Sequence, residues 1–118
     1  MRTLLLLICI MFTTACTQQT NFDSEELSLI EKEASELLSK YPEPNFDFEY
    51  SAQNNIAKLK PESVYVTKNG LYIVLNSGFS SESGIYVPRE GIAVNTDDGQ
   101  DPLYKALSKK VFSYEIKG

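Results

Sequence analysis

The sequence predicts an α+β fold, with an N-terminal amphipathic helix packed on a small, mostly antiparallel β-sheet of four to five strands. Three observations carry this expectation. Residues 24–40 repeat apolar side chains at helical spacing, residues 63–75 form two apolar-rich runs around Asn69-Gly70, and Val111–Lys117 alternates once more. A chain of 118 residues suits one domain, which at that size can bury a working core without disulfide or metal.

The first residues are not expected to belong to that fold. Arg2 precedes an unbroken apolar run, Leu4 to Phe12, and the small residues Thr13, Thr14 and Ala15 lead into Cys16. Charge, short apolar core and small residues in that order form the layout of a secretory signal peptide. A membrane-spanning helix is the competing reading, but nine residues at 1.5 Å rise cover only about 14 Å of a hydrocarbon layer of roughly 30 Å. Thr13-Thr14-Ala15-Cys16 resembles the lipobox of bacterial lipoprotein precursors. The third residue before the cysteine is usually leucine in that family, and here it is threonine. The resemblance covers residues 1–16 alone and implies cleavage before Cys16, acylation of Cys16, and anchoring of the chain to a membrane by the lipid. Two or three acyl chains hold a soluble domain stably where one is marginal. The expected organisation is a cleaved signal peptide over 1–15, a lipidated tether over 16–22 and one α+β domain over 23–118. Thr17 after the cysteine, where aspartate commonly directs inner-membrane retention, implies the periplasmic side of the outer membrane if the host is Gram-negative.

The helix is predicted over residues 24–40. Asp23 with Glu26 three residues later forms a capping-box pattern, and Glu25 and Glu26 suit the positive end of a helix dipole. Leu27, Ile30, Ala34, Leu37 and Leu38 make one face, with Glu31, Lys32, Glu33 and Glu36 facing away. Tyr41-Pro42 ends it, since the residue before a proline is pushed out of the helical region. An amphipathic helix can also lie on a membrane, but membrane-surface helices are usually basic and this polar face is acidic.

Phe46–Tyr50 alternates aromatic and acidic residues and reads as a strand, and Ser51–Lys60 fits either a short helix or an irregular link. Ser63–Lys68 and Leu71–Leu75 read as a β-hairpin, with Asn69-Gly70 as a type I′ turn in which both residues take positive φ. A two-residue loop there pairs Val66 with Ile73, Val64 with Leu75, and Thr67 with Tyr72. Asn76–Gly84 reads as a flexible loop, Ile85–Val87 and Ile92–Val94 as short strands, Leu103–Lys110 as a helical turn, and Val111–Lys117 as a strand with Phe112, Tyr114 and Ile116 on one face.

Composition narrows the chemistry. Beyond residue 16 there is no histidine, cysteine or tryptophan, which excludes His-dependent triads, thiol nucleophiles and His- or Cys-based metal sites from that region. No cofactor is expected, and the expected activity is not enzymatic. Removing residues 1–15 takes away one of 11 basic residues and none of 16 acidic ones, so the remaining chain is more acidic than the whole and no nucleic-acid partner is expected. Asn95, Asp97 and Asp101 with Gly99 loosely follow a calcium-loop spacing, but the position of the bidentate glutamate falls on Ala106, and Asn, Asp and Gly are ordinary turn residues. Aromatic richness points to strands and core; the candidates for surface use are Tyr65 and Tyr72, if the helix covers the opposite sheet face, and Phe79 among Ser and Gly. The expected function is non-catalytic: a membrane-tethered envelope lipoprotein that binds a protein or an envelope component. Its rivals are a periplasmic inhibitor or immunity-type protein, with an acidic domain blocking a basic cleft, and a carboxylate-only hydrolase.

Overall fold

The computed structural model describes residues 22–45 and 54–118. Helix α1 runs over Ser24–Lys40, so residues 1–23 precede it and it does not open the chain. The Asp23 side chain accepts from the Glu26 amide at 2.8 Å, filling one of the orphan donors at the helix start. Tyr41 closes the other end with its amide on the Leu37 carbonyl. Leu27, Ile30, Ala34 and Leu38 are buried and belong to one apolar cluster with sheet residues Val64, Val66, Leu71, Ile73, Ile85 and Val87. Glu33 departs from the expectation that it faces away. It is half-buried, and its carboxylate accepts from the Asn55 and Ile56 amides at 2.9–3.1 Å, capping the short helix α2 (Asn54–Lys58) from across the fold.

Five strands form one antiparallel sheet: β1 (Ser63–Val66), β2 (Gly70–Ser77), β3 (Glu82–Pro88), β4 (Leu103–Ala106) and β5 (Phe112–Ile116), in the order β1-β2-β3-β5-β4. The first hairpin keeps its predicted strands and faces but not its register. Val66 pairs with Leu71, Val64 with Ile73 and Tyr65 with Tyr72. Lys68-Asn69 is therefore the two-residue turn, closed by the Thr67 amide on the Gly70 carbonyl at 2.8 Å. The Thr67 hydroxyl accepts from the Asn69 and Gly70 amides and thereby organises the turn. Gly70 is absent from the positive-φ residues. A pairing shift of two residues leaves every side chain on its face, and it lets the Tyr65 ring stack on Tyr72 at 5.0 Å.

Three further segments differ from the sequence expectation. Asn76–Gly84 is no flexible loop: β2 and β3 continue into it and turn over Gly78–Ser81, with the Gly78 amide on the Ser81 carbonyl at 2.9 Å. Residues 76–81 are exposed, so this part of the hairpin runs past the core and has no apolar alternation to advertise it. Leu103–Ala106 is an edge strand rather than a helical turn, because it pairs with β5 through Tyr104–Tyr114 and Lys105–Ser113. Ile92–Val94 lies outside any strand. Since β3 and β4 each run antiparallel to β5, they are parallel to each other, and residues 89–102 form the crossover between them. Val94 in this crossover packs on the sheet face opposite the α1 cluster. The predicted Phe46–Tyr50 strand lies outside the described residues.

Candidate binding surfaces

Strand alternation gives the sheet two unlike faces. The face toward α1 is aliphatic across β1, β2 and β3, and turns polar at Ser113, Glu115 and Lys105 on β5 and β4. The opposite face is aromatic. Tyr65, Tyr72, Tyr86 and Phe112 occupy one row, and Val74, Gly84, Tyr114 and Tyr104 the next. Gly84 lies so close to β2 that a Cβ would run into the Ile73 carbonyl, and the Tyr114 ring meets Tyr72 edge-on at 4.9 Å. Tyr72 and Tyr86 lie 4.6 Å apart, and Tyr86 and Tyr104 5.0 Å. Such offset and edge contacts between rings add to area burial.

The phenol groups are tied together as well. Tyr65 and Tyr114 both donate to Glu82 Oε2, at 2.6 and 2.8 Å, Tyr72 and Tyr104 share a hydroxyl–hydroxyl bond of 2.6 Å, and Tyr86 donates to the Asn69 carbonyl at 3.1 Å. Burial, then the bond to Glu82 and its charge, pushes the Tyr65 and Tyr114 phenols well above the ordinary tyrosine range. Burial followed by the bond to Tyr104 does the same for Tyr72, and burial pushes Tyr86 up to about 12.

This places the candidates differently from one another. Tyr72 is only 8% exposed and is an interior residue, so the expectation of an open Tyr65–Tyr72 face fails at Tyr72. Tyr65 is half-buried, with its ring against Tyr72 and its hydroxyl on Glu82. The sequence could not show this, because the aromatic face is closed by residues distant along the chain, Val94 and Tyr104. Phe79 stands at the other extreme, at 109% exposure on the β2–β3 turn. Cys16 lies outside the described residues.

Two larger clefts remain. One, of about 660 Å³, lies between the last turn of α1, Arg89–Ile92 and Lys109-Lys110. The Arg89 guanidinium there is spent on backbone, donating to the carbonyls of Leu38, Tyr41 and Thr67 at 2.8–3.1 Å. The second, of about 630 Å³, lies over the polar side of β5 and β4, between Phe22, Leu75, Leu103, Lys105 and Glu115. These two clefts carry a single carboxylate each, Glu90 in the first and Glu115 in the second; a smaller one of about 380 Å³ at the start of α1 is lined by Asp23, Glu25 and Glu26, of which Asp23 serves as the helix cap. In the acidic loop, Asn95 accepts from the Asp97 amide and so serves a local turn, and Asp101 accepts from the Lys117 amide and so ties the loop to the chain after β5. Among the described residues no cluster of three or more acidic side chains gathers for a metal, and no helix is long and apolar enough to cross a membrane.

No family model, curated protein or solved structure matches this chain significantly. The functional reading therefore rests on the residues and their geometry.

Proposed function

We propose that this chain is a bacterial envelope lipoprotein, anchored by lipid on Cys16, whose domain acts by binding a protein or an envelope component. The observation that carries the reading is the leading segment: Arg2, the apolar run Leu4–Phe12, and Thr13-Thr14-Ala15 ending on Cys16. Six residues after that cysteine, Phe22 packs against the core. The tether is thus at most ~20 Å long, and α1 is the first element of the mature domain, packed on the sheet. Non-catalytic binding is favoured because the region beyond Cys16 lacks histidine and cysteine, which removes the common nucleophile–base pairs. The cleft beside β4 offers the binding surface, where the aliphatic cover of the sheet gives way to Lys105, Ser113 and Glu115. In a Gram-negative host, Thr17 favours the outer membrane.

Radiolabelled palmitate tests the anchor. Label is expected in the wild type and not in Cys16→Ser, which also leaves the membrane fraction. Label in the variant, or in neither, sinks the reading. An envelope-enzyme inhibitor is the second reading, favoured by the exposed carboxylates Glu25, Glu26 and Glu36 on α1 and Asp97 and Asp98 in the crossover; capture of a basic enzyme that weakens steeply with salt would select it.

A further inference from the structure

Phe79 is fully exposed on a turn where Ser77 donates to Glu62 and Ser80 has Gly118 against it. The turn is tight, closed by the Gly78 amide on the Ser81 carbonyl, so the backbone holds Phe79 at the tip of the hairpin. From Asn76 to Ser81 every side chain is uncharged, in a protein with 16 acidic residues. Phe22 lines one cleft with Leu75, Asn76 and Ser83 and another with Leu107, Ser108 and Lys109, and the Asn76–Ser83 pair of the first leads into the turn that carries Phe79.

We propose that Phe79 is a membrane-contacting residue, its ring set into the interface of the bilayer to which the Cys16 lipid holds the domain. This rests on the lipid-anchor reading and adds an orientation to it. From Cys16 to Phe22 the tether reaches at most ~20 Å, and from Asn76 to Phe79 three residues of strand reach ~10 Å. One surface can therefore receive both the lipid and the ring. Aromatic rings favour the membrane–water interface. The six residues of the tip carry no charge of their own, and the nearest acid, Glu62, is bonded to Ser77, so repulsion from anionic headgroups is weaker there than at the acidic faces of the domain. A lone ring does not anchor a protein, so its effect is on orientation: with the β2–β3 turn down, the opposite end of the sheet, with Gly70, Pro88 and Arg89, points away from the membrane.

The chain contains no tryptophan, so Phe79→Trp introduces a single indole, excited apart from the tyrosines at about 295 nm, at a site with no packing to lose. The full precursor is expressed in a bacterial host. The membrane-extracted protein is then reconstituted into phosphatidylcholine vesicles with and without brominated acyl chains, and flotation and emission are read on the same samples. Flotation with a blue-shifted emission that the bromolipid largely quenches is the expected result. Ile92→Trp, near Arg89 at the far end of the sheet, is expected to float equally and keep an unquenched emission. Flotation with Phe79→Trp unquenched overturns the contact and leaves the anchor standing. So does a blue shift that bromolipid leaves untouched, which would mean that protein covers the ring. Failure to float defeats the anchor reading and this proposal with it. Equal quenching at both positions also overturns it, since the domain would then have no preferred orientation.

Discussion

Gly70 shows how one residue can be required for a reason other than its usual one. In the turn Asn69-Gly70 suggests, glycine would supply a positive φ. In the fold it begins β2, and a Cβ there would run into the Val87 carbonyl oxygen and come within 2.8 Å of Pro88 Cα and Tyr86 Cε1. Close approach of β3 therefore excludes a side chain. The two causes predict different substitution orders. A positive φ tolerates asparagine better than alanine, because Asn visits the left-handed region several-fold more often than most residues. Steric exclusion ranks the costs by bulk. Gly70→Ala is expected to destabilise by about 1–3 kcal/mol, as overpacking does, and Gly70→Asn by more. Urea melts of the two variants check this, and an asparagine variant more stable than the alanine one would restore the type I′ turn.

Elements were legible where a period of 3.6 or 2 coincided with full burial of one face. Helix α1 had both, with Asp23 and Pro42 marking its ends. The strands of the first hairpin and their faces were legible too. Their register was not, because period-two alternation specifies parity alone and the Thr67 hydroxyl competes with Asn-Gly for control of the turn. Edge strand β4 was illegible for a different reason: Leu103 and Tyr104 are half-buried while Lys105 and Ala106 are exposed, which leaves no alternation to read. Of the surface candidates, the sequence singled out Phe79 but could not decide its exposure, and it could not show Tyr72 covered by the crossover. The links between elements were also invisible, since they join residues far apart in sequence, and they yield two tests. Glu33→Ala strips the acceptor from the Asn55 and Ile56 amides and is expected to cost about 1–2 kcal/mol, as loss of a cap does. Glu33→Gln keeps an acceptor oxygen and should cost less. Arg89→Lys cannot span the three carbonyls that the planar guanidinium joins. It should loosen the end of α1, read as faster amide exchange at Leu38–Tyr41 with little change in β5.

At the scale of the whole molecule, the domain has two cores on one sheet, aliphatic under α1 and aromatic under the crossover, and the second makes the fold sensitive to alkali. The chain has no histidine, the side chain that ordinarily titrates between pH 5 and 8. Four of the seven tyrosines, Tyr65, Tyr72, Tyr86 and Tyr114, hold their protons more tightly in the fold than the ordinary value of about 10. A folded-state pKa above the unfolded one means that, above pH 10, the unfolded chain has released protons the native state still keeps. Stability is therefore fully present below pH 10 and falls as pH rises from there, through about 12 for Tyr86 and beyond for the other three. The ionised phenols would also have to share the sheet face with Glu82, which already accepts from two of them. Absorbance at 295 nm followed together with far-UV circular dichroism checks this. The absorbance of these four phenols is expected to appear above pH 10, in one cooperative step as the sheet is lost. In denaturant all seven should titrate together near pH 10. A native titration that completes near pH 10 with the dichroism unchanged would mean that water reaches these phenols, and that the crossover through Val94 does not close the aromatic face.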